Sequence, residues 1–350
     1  MQTTAAVEQP EPATDAEAPV LEVRNLKKHF PIERGFLKRV VGHVKAVDDI
    51  SFRLRAGETL GLVGESGCGK TTAARAILRA LEPTAGRILF HHDGETIDVC
   101  ALGKAELKAA RRHMQMIFQD PYSSLNPRMP IIDLVAEPLR AHGWRRKACE
   151  RRVAEVLELV GLDPQYMRRY PHAFSGGQRQ RIGIARALAL SPSLVIADEP
   201  VSALDVSIQA QILNLLEEMQ QRLGLTYLFI THDLSVVRYT CDRVAVMYVG
   251  KLVEVARTED LFEHPLHPYT AALLAAVPDL DPHREWLGET VSGEVADPSK
   301  DHPGCRFAPR CPHATDLCRT VPPPLEDKAA PGAPEHHAAC HRVGEIELRV

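Results

Sequence analysis

Eight residues, Gly64-Glu65-Ser66-Gly67-Cys68-Gly69-Lys70-Thr71, fit the spacing G-x-x-x-x-G-K-[ST]. Glycines so placed let successive backbone N–H groups converge on phosphate oxygens, and the N-terminus of the helix that follows adds partial positive charge. Lys70 has the length to reach β- and γ-phosphates, and the hydroxyl of Thr71 suits Mg²⁺. The plainer alternative is a glycine turn that opens a helix. The flanks favour phosphate binding: Thr59-Leu60-Gly61-Leu62-Val63 reads as a buried strand, and residues 72–81 read as a helix. Cys68 reads as a small packing residue rather than a nucleophile.

Other polar residues share a placement. Gln119 ends the run Met114–Phe118, Asp198 and Glu199 close Leu194–Ala197, and His232 follows Thr226–Ile230. Open α/β sheets put ligands at the C-terminal ends of their strands. That common position sets these residues above a capping glutamine or a loop histidine. Adjacent carboxylates suit one metal-linked role and one base role. Phe174-Ser175-Gly176-Gly177-Gln178 precedes a helical run at 179–190, a second anion-ready helix start. Ser202-Ala203-Leu204-Asp205 leads into a helix at 207–223. Phe30 could stack on a base, although an ordinary core or edge phenylalanine is the simpler reading.

The elements that must position these groups alternate. Strands are expected at 21–26, 45–54, 59–63, 114–118, 194–197, 226–230 and 244–249, with a hairpin at 87–90 and 96–99. Helices are expected at 72–81, 105–112, 131–142, 147–160, 179–190, 207–223 and 271–277. This order predicts an α/β core with a mostly parallel sheet. Residues 1–20 are Pro, Ala, Glu and Thr without period and read as a disordered acidic tail.

The net charge of −4 is accounted for by Glu8, Glu11, Asp15 and Glu17; the rest of the 350 residues balances at 42 acidic against 42 basic. A balanced body argues against a general nucleic-acid binder. The basic group Arg145, Arg146, Lys147, Arg151 and Arg152 reads as a solvated helix face. No apolar run reaches the roughly 20 residues needed to span a bilayer, and the acidic start is no secretory signal. The expectation is an intracellular protein that meets a membrane only through a partner.

In this order the motifs resemble the ATP-binding cassette family, across residues 21 to 258. They are the phosphate loop, a Q-loop (Gln119), a signature (Phe174–Gln178), an acidic strand end (Asp198, Glu199), a D-loop (Ser202–Asp205) and a switch histidine (His232). Phe174 departs from the Leu of many members. The stretches 64–71, Phe118–Pro127 and His267-Pro268-Tyr269-Thr270 are similar to the oligopeptide/dipeptide permease ATPases, and the insert around Gly35–Gly42 with the cysteine tail resembles their F-type subunit. The resemblance implies a P-loop NTPase fold: a RecA-like core, an antiparallel β subdomain, a helical subdomain near 120–190 and a C-terminal extension from 259 to 350. It implies Phe30 on adenine and residues Gly64 to Thr72 on the phosphates. It implies Mg²⁺ held by Thr71, Gln119 and Asp198, Glu199 as base, and His232 on the γ-phosphate. Ser175, Gly176, Gly177 and Gln178, with Asp205, would act across a dimer. The partners implied are two membrane subunits, a sibling ATPase and an external peptide-binding protein; the place implied is the cytoplasmic face of the membrane.

Eight cysteines are present, four of them as Cys305-x5-Cys311-x6-Cys318-x21-Cys340. In a reducing compartment such a group suggests metal more than disulfides. The spacing lacks the close pairs of a zinc ribbon, and four thiolates can hold a [4Fe–4S] cluster, as the resemblance also implies. Zinc with His313 or His341, or unliganded thiols, stay open. Cys100, Cys149 and Cys241 read as core. Two other readings of the whole chain are an ABC-type ATPase acting on ribosomes or DNA, and a metal- or redox-sensing ATPase. Against the first, there is one phosphate loop, and only 105 positions without sustained heptads separate Lys70 from Ser175.

Overall fold

A computed structural model describes residues 19–35, 39–120, 124–277 and 293–348. Most of the expected acidic tail, the centre of the basic insert, Pro121 to Ser123 and residues 278–292 lie outside the described residues.

Two sheets make the frame. One is antiparallel, in the order β2-β1-β4-β5: β1 (Pro19–Arg34), β2 (Arg39–Arg55), β4 (Ala85–His92) and β5 (Glu95–Asp98). β1 and β2 run on either side of the insert, so what reads locally as two short strands is one long ribbon, paired from Pro19↔Arg55 to Arg34↔Arg39. The other sheet holds the expected parallel core: β3 (Thr59–Val63), β6 (Met114–Ile117), β7 (Leu194–Asp198), β8 (Thr226–Ile230) and β9 (Arg243–Tyr248), with β9 beside β3, then β8, β7 and β6. β3 pairs in parallel with both β8 and β9.

Alternate residues of these strands feed different cores. Leu194, Ile196, Leu228 and Ile230 join the cluster packed towards the antiparallel sheet, with Leu54, Ile77 and Phe90. Val195, Ala197, Tyr227 and Phe229 join the cluster with Leu134, Val153 and Ile182 from the helices at Ile131–Ala141, Arg146–Leu159 and Gly176–Leu188. A strand buried on both faces has no polar face to show, which is why these segments read as unbroken apolar runs. Phe174 is buried in the helix-side cluster, edge-on to Tyr166 at 5.8 Å; the departure from Leu fills that space with a larger ring.

The tail is not a separate appendage. β10 (Lys251–Arg257) pairs antiparallel with β9, and the two-residue strands β11 (Glu326–Asp327) and β12 (His337–Ala338) extend the same sheet. Glu254 of β10 is wholly buried; its carboxylate accepts from the backbone N–H of Leu266 and His267 and meets His336 Nε2 at 2.7 Å. No helix among the described residues is long and apolar enough to cross a membrane.

Candidate functional site

The phosphate loop leaves β3 at Val63 and enters the helix Lys70–Ile77. The helix begins two residues before the apolar pattern suggests, because Lys70 and Thr71 form its first turn. Gly64 and Gly69 have φ of +150° and +113°, and a Cβ on either would lie 2.1 Å from a backbone carbonyl, that of Met247 or Ala46. Adjacent chain therefore fixes the loop where only glycine fits. Ser66 and Gly67 are exposed at the loop's crest. Lys70 is buried, and its Nζ donates to the carbonyls of Gly64 at 2.7 Å and Glu65 at 3.0 Å. Cys68 is buried and its thiol is pushed up by burial, in keeping with a packing role.

The Thr71 hydroxyl donates to Asp198 Oδ1 at 3.0 Å. Burial raises the Asp198 carboxyl above its usual range, and the Thr71 hydroxyl partly offsets this. A dication placed there would favour the charged form again. Glu199, the next residue, has a left-handed backbone with φ +46°. Its N–H donates to the Ile230 carbonyl at 2.8 Å. Its carboxylate accepts from Gln119 Nε2 at 2.7 Å and meets His232 Nδ1 at 3.1 Å. Strained non-glycine backbone concentrates at functional sites. The ends of β6, β7 and β8 thus bring Gln119, Glu199 and His232 together, as the shared strand-end placement predicts.

Ser175 and Gln178 form a capping box: Gln178 N–H donates to Ser175 Oγ at 3.3 Å, and Ser175 N–H to Gln178 Oε1 at 3.1 Å. This carries Gly176 and Gly177 into the first helical turn, earlier than the run at 179–190 suggests. A Cβ on Gly177 would lie 2.6 Å from Ile208, so the turn sits against the helix Val206–Leu223. Asp205, the N-cap of that helix, is exposed. Phe30 is half-buried on β1 opposite Val44, with the Lys28 ammonium 4.9 Å from its ring centroid.

Cys305, Cys311, Cys318 and Cys340 converge on one cavity of about 20 Å³, beside Phe307, Ala308 and His267. Burial pushes the thiols of Cys305 and Cys311 up to about 11, and that of Cys340 also upward. The arrangement by itself does not support the expected metal centre. Among the described residues no group of three or more His, Cys, Asp or Glu is arranged to hold a metal ion. The spacing of the cysteines signals that they meet; it does not report the space left between them. Cys149 and Cys241 are buried, as read; Cys100 is only half-buried, at the margin of the core.

Two residues of the site escaped sequence reasoning. The Tyr269 hydroxyl accepts from the Glu65 N–H at 2.9 Å, and the Arg310 guanidinium grips the Glu65 carboxylate at 2.9 and 3.0 Å. Tyr269 lies in a stretch already noted; Arg310 has no local signal beyond its place beside Cys311.

A phosphate loop on a parallel sheet, with Asp198, Glu199, Gln119 and His232 at neighbouring strand ends, defines a P-loop nucleoside triphosphatase. Comparison with known proteins carries this further. The family described as ABC transporter matches residues 47–202, and the oligopeptide/dipeptide transporter C-terminal region matches 253–318. The chain is 51% identical over 326 residues to the oligopeptide transport ATP-binding protein AppF of Bacillus subtilis, covering 92% of this chain and 97% of that one. It is also 51% identical to a probable peptide ABC transporter ATP-binding protein, y4tS, of Sinorhizobium fredii, over 92% of this chain and 89% of that one. Among solved structures, CbiO1 of Clostridium perfringens, part of the CbiONQ ABC transporter complex, superposes with TM-score 0.59 at 28% identity, over 71% of this chain and 92% of that one. The ATP-binding cassette MJ0796, in a dimeric post-hydrolysis state with ADP and Pi, gives 0.58 at 27%, over 68% and 98%. The chain belongs to the ABC transporter family, in its oligopeptide/dipeptide branch.

Proposed function

We propose that the chain is the ATP-hydrolysing subunit that powers import of di- and oligopeptides. It works as a dimer with a second ATPase subunit, beneath two membrane-spanning subunits fed by an external peptide-binding protein. It sits at the cytoplasmic face of the membrane as a peripheral subunit. The observation that carries this reading is the meeting of Gln119, Glu199 and His232 beside the Thr71–Asp198 pair.

The backbone N–H groups of residues 64–72 cradle the phosphates, and Lys70 exchanges its loop carbonyls for β- and γ-oxygens. Thr71, Asp198 and Gln119 form the Mg²⁺ side. Glu199 orients and deprotonates the attacking water, a role worth about 10²–10⁴-fold in rate, and His232 contacts the γ-phosphate. Phe30 stacks on adenine. Ser175 to Gln178, with Asp205, serve the nucleotide of the opposing subunit, so a competent site needs two chains. Residues 21–258 form the nucleotide-binding domain, with its helical part near 120–190, and 259–350 the extension. In the assembled complex, Glu199→Gln is expected to retain ATP and stop turnover; hydrolysis persisting in that variant would remove Glu199 from this role.

The four cysteines of the tail are offered as ligands of a [4Fe–4S] cluster on the strength of the donor set. Four thiols meet in one pocket, where burial first, and neighbouring thiols to a lesser degree, raise Cys305 and Cys311. A cluster would supply an electron store at this point; the pocket as it stands must widen to admit one.

A further inference from the structure

The segment between the first two tail cysteines lies on the phosphate loop. Arg306 donates to the Val249 carbonyl and to the Asp48 carboxylate, and next to Val249 the Gly250 N–H donates to the Cys68 carbonyl at 2.8 Å. Phe307 packs against Tyr248 and Tyr269, each at 5.4 Å between ring centroids. Arg310 lies over Tyr248 at 5.8 Å, its side chain is 10% exposed, and it holds Glu65 with its two terminal guanidinium nitrogens. Glu65 is thereby fixed at three points. Its N–H goes to Tyr269, its carbonyl to Lys70 and its carboxylate to Arg310. Glu65 is the last residue before the exposed crest, so its placement sets where the following N–H groups point.

The same segment walls the cysteine pocket. Phe307 and Ala308 line it with Cys305 and Cys311. The Cys311 N–H donates to the Phe307 carbonyl at 3.0 Å, and Ala308 N–H to that of Cys305 at 3.0 Å. The turn carrying Arg310 is therefore closed by the backbone of two pocket cysteines. A shift of either cysteine moves the base of the arginine.

We propose that residues 305–311 are a strap on the phosphate loop, in which Arg310 is a positioning residue for ATP binding and through which the cysteine pocket is felt at the nucleotide. This rests on the reading that the phosphate loop binds ATP. A bidentate charge-assisted pair fixes angle as well as distance, which a lone ammonium does not. Tyr269 holds the same residue by a single neutral hydrogen bond to its backbone N–H.

The test is the dissociation constant of Mg²⁺-ATP for the full chain, read with a fluorescent ATP analogue, alongside the thermal midpoint without nucleotide. Arg310→Met is expected to weaken binding about tenfold, the size of one charge-assisted contact. Arg310→Lys is expected to restore less than half of that loss. The reversed pair Glu65→Arg with Arg310→Glu is expected to bind better than either single change. Cys311→Ser is expected to weaken binding in the wild-type background and to have no further effect on Arg310→Met. A lower thermal midpoint with unchanged ATP affinity in Arg310→Met would reduce the contact to structural glue and overturn the proposal. So would a Cys311→Ser effect that persists without Arg310. Absence of ATP binding by the wild-type chain would instead strike the functional reading itself.

Discussion

Gln119 and Glu199 are joined by a 2.7 Å hydrogen bond between amide Nε2 and carboxylate Oε2, although 80 positions separate them in the chain. The bond exists because β6 and β7 are parallel neighbours whose C-terminal ends finish level, Ile117 opposite Ala197. With His232 on the other oxygen, the carboxylate has a donor at each side. Each oxygen keeps a lone pair with which Glu199 can accept from a water held between these two donors. Gln119→Ala and His232→Ala are each expected to lower hydrolysis by about 10²-fold, the low end for a lost general-base contact, while ATP binding changes little. Steady-state hydrolysis set beside equilibrium binding separates these effects.

The Thr71 hydroxyl donates to Asp198 Oδ1 at 3.0 Å. Thr71→Val keeps the shape and removes the oxygen. The expected outcome is a roughly tenfold rise in the Mg²⁺ concentration for half-maximal activity, from one lost charge-assisted contact, with Thr71→Ser near wild type. A Mg²⁺ titration of hydrolysis checks this.

The parallel core was legible because strands buried on both faces read as apolar runs, and their ends carried the polar residues. β3 and β8 fall on the expected residues, and the acidic pair is where the run at 194–197 stops. What escaped was non-local. β12 is two residues, His337 and Ala338, held by Val255 and Glu254 of β10 from 82 and 84 positions away, and no pattern that short marks a strand. The helices Leu234–Thr240 and Thr258–Glu263 were missed because seven and six residues give too few turns for a period to show. Arg310 reaches Glu65 across 245 positions, which spacing along the chain cannot reveal.

His267 is fully buried, and burial pushes its imidazole down to about 3. Its Nδ1 accepts from the Tyr269 N–H at 3.0 Å, capping the helix Pro268–Ala275, so the neutral ring is the one that fits. The unfolded ring takes its proton near pH 6.5 and the folded one near 3, so the unfolded state binds the proton first. Stability is therefore full above about pH 6.5 and falls as pH is lowered towards 3, with about 2 kcal/mol lost by pH 5. His267→Asn keeps a cap acceptor and removes the titration. Thermal melts from pH 7.5 to 5 are expected to show a shallower decline in that variant.

The tail pocket makes a separate expectation. If the proposed cluster forms, protein purified without oxygen holds iron and acid-labile sulfide, about four each per chain, both lost in Cys311→Ser. Metal analysis that finds neither would leave the four thiols as packing.

The most direct test of the account is ATP-driven uptake of a labelled oligopeptide into vesicles that contain the chain with the membrane subunits and sibling ATPase proposed for it, the proposed external binding protein being added. The account predicts uptake that requires ATP and Mg²⁺ and disappears with Glu199→Gln, while that variant still binds ATP. Uptake that continues at the wild-type rate with Glu199→Gln would contradict it.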